Sequence, residues 1–313
     1  MADTQIPVEH LFTVEMHGMD LSRHDYEGPF GRRIFAKASG GVVSGRRFSG
    51  KVLPLHATDY GRASSDGSIR QFDAEIGLQA DDGTIVLMQY RGRMSPTYGP
   101  GQSRIQVLFD VENGPHGWLN GVQAIGFGMD QPDGSTVFEI YVLTGAEEFE
   151  GPGPADDIRP AERKSVSADF IMRRKSEHQA GSTRHTVASP FGGRYFTLAE
   201  TGGKFAGPRI SGEFLAGYSW SPHRMASIGK PGESSVETLM HYDVKTLLRA
   251  DEGDSILMSY TGATSGAYAR GSWMTATQFE VPEGPHDWLN EILAVGVGRW
   301  QGDGAEYKVY ALR

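Results

Sequence analysis

The heptapeptide GPHGWLN at residues 114–120 returns as GPHDWLN at 284–290. A single site seldom needs two copies in one chain, whereas a duplicated structural unit carries all of its parts twice. The step from His116 to His286 is 170 residues. The same step takes Trp118 to Trp288, Asn120 to Asn290, Tyr90 to Tyr260 and Gly92 to Gly262. Upstream the step shortens to 162, where GGVVSGRRFSG (40–50) matches GGKFAGPRISG (202–212). The second copy therefore gains about eight residues, and the loop-forming run SPHRMASIGKPGESS (221–235) is the expected place. The copies run from about 7–144 and 165–313. This predicts an N-terminal domain (1–146), an acidic Pro/Gly linker (147–164) and a diverged C-terminal domain (165–313). Two copies are too few for a solenoid, so the expected object is a fused pseudo-dimer.

Within each copy the hydrophobic pattern has period two. In FDAEIGLQA, Phe72, Ala74, Ile76 and Leu78 fall on one face and Asp73, Glu75 and Gln79 on the other. In RIQVLFDV, Ile105, Val107, Phe109 and Val111 oppose Arg104, Gln106, Leu108 and Asp110. TIVLMQY (84–90) is apolar on both faces and reads as a strand buried on both sides. FEIYVL (138–143) and EYKVYAL (306–312) close the two copies, and SDG, DDG and PDG mark turns between runs. Glycine makes up 42 of the 313 residues, well above the usual ~7%, which fits many tight turns. The fold class is all-β, a barrel or sandwich written twice.

The chain has no cysteine. That excludes a disulfide framework, a thiolate zinc site and a cysteine nucleophile. The net charge of −9 argues against a nucleic-acid partner, which needs a basic face. Arg32, Arg33 and Lys37, with Arg46, Arg47 and Lys51, read as solvated strand faces. No apolar run is long enough for a membrane helix and no secretory signal opens the chain, so the expectation is a cytoplasmic protein without a membrane partner. HExxH, GxSxG and P-loop patterns are absent, and His, Asp and Glu do not fall at metal-ligand spacing. No metal and no cofactor are expected.

For the heptapeptide itself, Gly114-Pro115 makes a turn and Pro115 suits the first position of a helical turn. Trp118 and Leu119 can plug a barrel end, and Asn120 with Gly121 tolerates a left-handed stop. His116 and His286 are open to two readings, as ligands or bases and as structural caps. Retention of the whole motif in both copies favours the caps.

The order Gly31-Arg32-Arg33, Gly40-Gly41, Gly45, Gly50, Asp59-Tyr60, Asp66-Gly67, Asp73, Asp82-Gly83, Tyr90, Gly92 and Trp118-Leu119-Asn120 resembles the bacterial and fungal "domain of unknown function 3237" family, also called uncharacterised protein family 0311. The match covers most of the first copy and, more loosely, the second. The resemblance implies two tandem small antiparallel β-barrels, similar to allene oxide cyclase and dirigent barrels. Those relatives guide or catalyse reactions of hydrophobic intermediates in a barrel cavity without a cofactor. Transfer of that chemistry is an analogy of fold.

Candidate chemistry lies where the copies differ. LHATDYGRASSDG (55–67) aligns with LAGYSWSPHRMAS (215–227), pairing His56 with Ala216, Asp59 with Ser219 and Tyr60 with Trp220. Asp59 is either a working carboxylate found in the first copy alone or a turn cap. Asp73 and Glu75 either project into a cavity beside Asp59, where burial would raise their pKa values, or are exterior charges. Tyr90 is a candidate donor to a carbonyl or phenol. His56, Tyr60, Arg62 and Met88 complete the expected substrate-binding set, and His223 is a possible group of the second copy. The leading expectation is a cofactor-independent lyase, isomerase or cyclase. It would act on an apolar or aromatic small molecule by acid–base chemistry at Asp59, Asp73 and Tyr90. The alternatives are a non-catalytic binding or dirigent-like protein and a purely structural barrel. A monomeric pseudo-dimer and a homodimer both remain compatible with the sequence.

Overall fold

The structure, a computed structural model, describes residues 4–18, 25–29, 31–145, 149–150, 158–176, 182–187, 193–199, 202–228, 237–264, 272–301 and 304–313. The first copy folds into β1 (Thr4–His17), β2 (Tyr26–Gly28), β3 (Gly31–Lys37), β4 (Gly40–Ser44), β5 (Gly50–Ala63), β6 (Arg70–Ala80), β7 (Ile85–Met94), β8 (Gln102–Val111), β9 (Ala124–Asp130) and β10 (Thr136–Leu143). All ladders are antiparallel. Strands β4 to β10 pair in succession, and β1 pairs with both β10 and β4, so eight strands close a barrel. The β2–β3 hairpin adds to the far half of β5. Strand β11 (Phe149–Glu150) pairs with the start of β1. Residues 146–148 and 151–157 of the expected linker lie outside the described residues, and a short 3-10 turn at Pro160–Glu162 leads into the second copy.

That copy comprises β12 (Ser165–Ser176), β13 (Ser182–Val187), β14 (Gly193–Ala199), β15 (Gly203–Ala206), β16 (Ser211–Ile228), β17 (Glu237–Ala250), β18 (Ser255–Thr264), β19 (Ser272–Glu280), β20 (Ala294–Gln301) and β21 (Gly304–Leu312). Its pairings repeat those of the first. β12 closes on β21 and β15, and the β13–β14 hairpin adds to β16. The molecule is thus all-β, with two closed barrels, as the period-two pattern and the resemblance implied.

Alternation places Phe12, Val14, Phe72, Ile76, Met88, Ile105, Val107 and Phe109 inside the first barrel, all buried. Each such side chain contributes about 1.5–3 kcal/mol relative to exposure. The reading of TIVLMQY as buried on both faces is corrected. Val86, Met88 and Tyr90 point inward, but Ile85 is half exposed, because the outer face of β7 is not fully covered. The retained glycines mark close backbone approaches. A Cβ on Gly45 would strike the Leu11 carbonyl, and one on Gly207 the Ile171 carbonyl. These contacts fall at the matching register shifts of β1 and β12.

The register also corrects the alignment around Asp59. Ala36 faces Asp59 across the β3–β5 ladder, and its counterpart Thr197 faces Ser221. The shift in β5 falls between Val52 and Ala57, and that in β16 between Phe214 and Ser219. The step of 162 therefore continues through this strand. Asp59 corresponds to Ser221, His56 to Tyr218, Tyr60 to Pro222 and Arg62 to Arg224. A match by residue type slips by two positions. Residues 221–228, expected as loop, continue β16 and pair with β14 and β17. Residues 229–236, between β16 and β17, lie outside the described residues.

The barrels share one interface. The start of β1 pairs with the start of β12, with Ile6 opposite Val166, flanked by Gln5 opposite Ser167 and Pro7 opposite Ser165. Equivalent residues thus meet across a local pseudo-two-fold axis. Around it the outer faces of β9, β10, β19, β20 and β21 bury Ile125, Tyr141, Leu143, Met274, Ala276, Val295, Tyr310 and Leu312 in a second core. Polar ties surround this core. Leu293 N–H donates to the Tyr98 hydroxyl at 2.5 Å, and buried Arg93 donates to the Phe279 and Asn290 carbonyls.

Candidate functional site

The repeated heptapeptide is a structural latch. In both copies it forms a 3-10 turn, Gly117–Gly121 and Asp287–Glu291, with the histidine as its N-cap residue. The turn therefore starts two residues later than a Pro115 first position would give. Leu119 and Leu289 plug the barrels, each 1% exposed or less. The Asn120 side chain accepts from Val111 N–H at 3.0 Å and donates to Val111 C=O at 2.8 Å. Asn290 does the same with Val281. Asparagine is retained because its side-chain amide imitates a peptide pair here, not because it stops the turn in a left-handed conformation. Trp118 lies under the Arg47 guanidinium and Trp288 under that of Arg209, at 3.7 and 3.8 Å. His116 reaches Asp82 at 3.3 Å and His286 reaches Glu252 at 3.1 Å. The histidine, tryptophan and asparagine of the motif thus each have a partner within their own copy.

The expected site residues separate into two groups. Asp59 and Tyr90 point into the first barrel, 3% exposed each, with Met88 deeper in the same core. His56, Tyr60 and Arg62 alternate out of phase with Asp59 on β5 and are exposed; Tyr60 packs edge-on against Phe35 outside the barrel. Asp73 and Glu75, out of phase with Phe72 and Ala74, also face outward, so their exterior reading is the one realised. They do not face open solvent alone. With Gln89, Arg91, His241 and Asp243 they line a cleft of about 350 Å³ between the barrels. There Arg91 joins Asp73 and Asp243, its counterpart 170 residues on, at 3.3 Å from each. His241 donates from its ring to the Asn120 carbonyl at 2.5 Å, and burial lowers its pKa. The side chain of His223 lies outside the described residues.

Inside barrel one, Asp59 borders a cavity of about 30 Å³ with Met16, Arg70, Phe72, Tyr90, Met94 and Phe138. Asp59 Oδ1 accepts the Asp73 backbone N–H at 2.9 Å. Asp73 therefore serves the site through its peptide, not its carboxylate. Burial raises the Asp59 carboxyl to about 6, against the pull of that hydrogen bond and of the Arg70 charge. Burial and the neighbouring Asp59 raise the Tyr90 hydroxyl well above its ordinary value. Tyr90 is accordingly a neutral donor and not a base. The Arg70 guanidinium lies 5.6 Å from the Phe72 ring, and its enclosed Nε has no hydrogen-bond partner among the described residues. Arg70 escapes the sequence reading. It has the same parity as Phe72 and Ala74 on β6, and that parity is the available signal. The cavity has room for one or two waters, so a larger guest requires the flexible Met16 and Met94 to move.

Among the described residues, no group of three or more His, Asp or Glu side chains is placed to hold a metal ion, and no helix is long and apolar enough to cross a membrane. No curated protein matches the chain. Solved structures similar to it include a β-barrel-like protein from Acinetobacter baumannii AYE, at 22% identity over 44% of this chain and 96% of that one, TM-score 0.38. A conserved protein of unknown function from Rhodopseudomonas palustris matches at 18% identity over 44% and 97%, TM-score 0.38. An enzyme from Penicillium herquei matches at 14% identity over 52% and 99%, TM-score 0.33. The model of one family matches residues 6–143 and again 168–312, one span for each barrel. The chain belongs to the family described as "Protein of unknown function (DUF3237)", and it carries that family's unit twice.

Proposed function

We propose that barrel one is the working copy of a cofactor-independent acid–base enzyme of the lyase or isomerase type, acting on an apolar or aromatic small molecule that carries a carbonyl or phenolic oxygen. The observation supporting this is a carboxyl held near neutrality inside a barrel, beside a protonated tyrosine, where the other copy has Ser221. At neutral pH Asp59 is mostly ionised and can accept a proton from the carbon next to the carbonyl. Tyr90 donates a hydrogen bond to the oxygen on which charge develops. Asp59 then returns the proton to a different carbon, or to a leaving group. Arg70 supports the developing negative charge. The surrounding Phe72, Phe138, Met16 and Met94 suit an apolar guest.

The test is a thermal-shift screen against aromatic, polyketide-like, terpenoid and steroid compounds, with mass spectrometry of each hit. Turnover that survives Asp59→Asn unchanged would refute the assignment. A second reading, a binding or steering protein, is favoured by the small cavity and the otherwise filled interior. A ligand that stabilises the protein and is recovered intact supports that reading.

A further inference from the structure

Register turns the interior of barrel two into a list of substitutions. Val14 lies opposite Phe138 and Val43 in barrel one, and Arg174 lies opposite Tyr307 and Phe205 in barrel two. Val107 lies opposite Tyr90 and Ala124, and Thr277 lies opposite Tyr260 and Ala294. One pleat further on, Thr275 stands for Ile105. Four inward apolar side chains of one barrel (Val14, Ile105, Val107, Phe138) are thus Arg174, Thr275, Thr277 and Tyr307 in the other. Random drift in a packed core would leave such groups scattered and unpaired, which is costly. These converge. The Tyr307 hydroxyl lies 2.5 Å from Thr275 Oγ1 and 3.4 Å from Thr277 Oγ1, and the Tyr260 ring is 5.8 Å from that of Tyr307.

Arg174 is the exception to this internal bonding. Its guanidinium lies 4.2 Å from the Phe214 ring, and its enclosed Nε has no hydrogen-bond partner among the described residues. Among the described residues no carboxylate pairs with it. Burial lowers its pKa, and the Tyr260 and Tyr307 hydroxyls oppose that shift. Burial raises both tyrosines, Tyr260 to about 12, so they are neutral donors that cannot serve as its counter-ion. A largely buried cation without an anion is costly, and a guanidinium fork matches a carboxylate in two-point contact. Arg174 is itself only partly buried.

We propose that barrel two is a binding site for a small monocarboxylate, with Arg174 as its counter-ion, the Tyr260 and Tyr307 hydroxyls beside it and Phe214 against its apolar part. A single cation among neutral donors fits one negative charge better than a phosphate dianion. The second copy is then a binding module of opposite polarity to the first, independent of the chemistry assigned to Asp59.

Calorimetry on the full chain at low salt tests this with benzoate, benzylamine, benzyl alcohol and inorganic phosphate. Benzoate is expected to bind, with benzylamine and benzyl alcohol at least tenfold weaker. Arg174→Met should reduce benzoate affinity at least tenfold while raising the unliganded melting temperature, because the unpaired charge is gone. Arg174→Lys, which keeps the charge and loses the fork, should fall between the two. Thr275→Ile leaves Arg174 in place and should weaken binding severalfold, which covers the case in which the arginine variants fail to fold. The proposal is overturned if no benzoate binding is seen into the millimolar range, if benzylamine or phosphate binds as well as benzoate, or if Arg174→Met binds benzoate like the parent.

Discussion

Replacing Asp59 by Asn should stabilise the protein at neutral pH and not in acid. Asp59 is 3% exposed, and its carboxyl is raised from 3.8 to about 6, chiefly by burial. At 1.36 kcal/mol per pKa unit, a shift of about two units corresponds to about 3 kcal/mol. The folded state binds the proton more tightly than the unfolded state. Between about pH 4 and pH 6 the folded chain therefore holds more protons, and its stability falls as pH rises through that window. Below it the acid is neutral in both states and the cost is absent; above it the cost is complete. Asn keeps an acceptor for the Asp73 N–H and never ionises. Urea unfolding of parent and variant across that range is the assay, read as the midpoint difference at constant m-value. The stability difference between the Asp59→Asn variant and the parent should widen by about 3 kcal/mol from pH 4 to pH 7. A difference that stays flat, or widens towards acid, refutes the claim that Asp59 is buried as a costly anion. The same cost is what a site held ready for proton transfer is expected to carry.

Four further outcomes follow from the contacts. Asn120→Ala leaves Val111 N–H and C=O without their side-chain partner and should cost about 2–3 kcal/mol in urea unfolding, with Asn290→Ala giving a matching loss in the second barrel. Leu119→Ala opens a cavity at the barrel plug and should cost about 2–5 kcal/mol by the same measure. Burial lowers the His241 pKa, so the unfolded chain binds more protons than the folded one just below pH 6.5, and stability should fall as pH drops through that value; His241→Gln should flatten this part of the profile in calorimetry. Gly45→Ala drives a Cβ into the Leu11 carbonyl and should destabilise by more than about 3 kcal/mol, or prevent soluble expression, whereas Gly67→Ala meets open space and should show only the smaller strain of its positive φ.

Much of the architecture is legible in the sequence because strand periodicity and duplication are local signals. The inward parity of Phe72, Ala74 and Ile76 and the turns at DDG and PDG require no knowledge of partners. The step of 170 links the later strands of the first copy to their twins in the second. The site is only partly legible. Asp59 stands out through the difference between copies, and Tyr90 through its return as Tyr260, although β7 runs four residues beyond it and places it in mid-strand. Asp73 and Glu75 group with Asp59 by proximity in sequence, yet one step along a strand reverses the face, and their parity already sets them outside with Gln79. That the outside is an inter-barrel cleft depends on how two units pack, which no single-strand pattern contains. Arg70 escapes notice because a charged residue at a strand start reads as solvated. The polar interior of barrel two stays invisible until register, rather than residue likeness, fixes which positions correspond.

The pairing of Ile6 with Val166 has one more consequence. In a dimer of identical chains, every substitution appears on both sides of the axis at once, so no change can suit one barrel without being imposed on the other. Covalent fusion across a pseudo-axis removes that constraint. A carboxyl at position 59 and a guanidinium at position 174 can then coexist in one molecule, each in a barrel shaped for it. The interface preserves the geometry of a symmetric pair while the two interiors inherit changes separately, so selection can act on two interiors where a homodimer would offer it one.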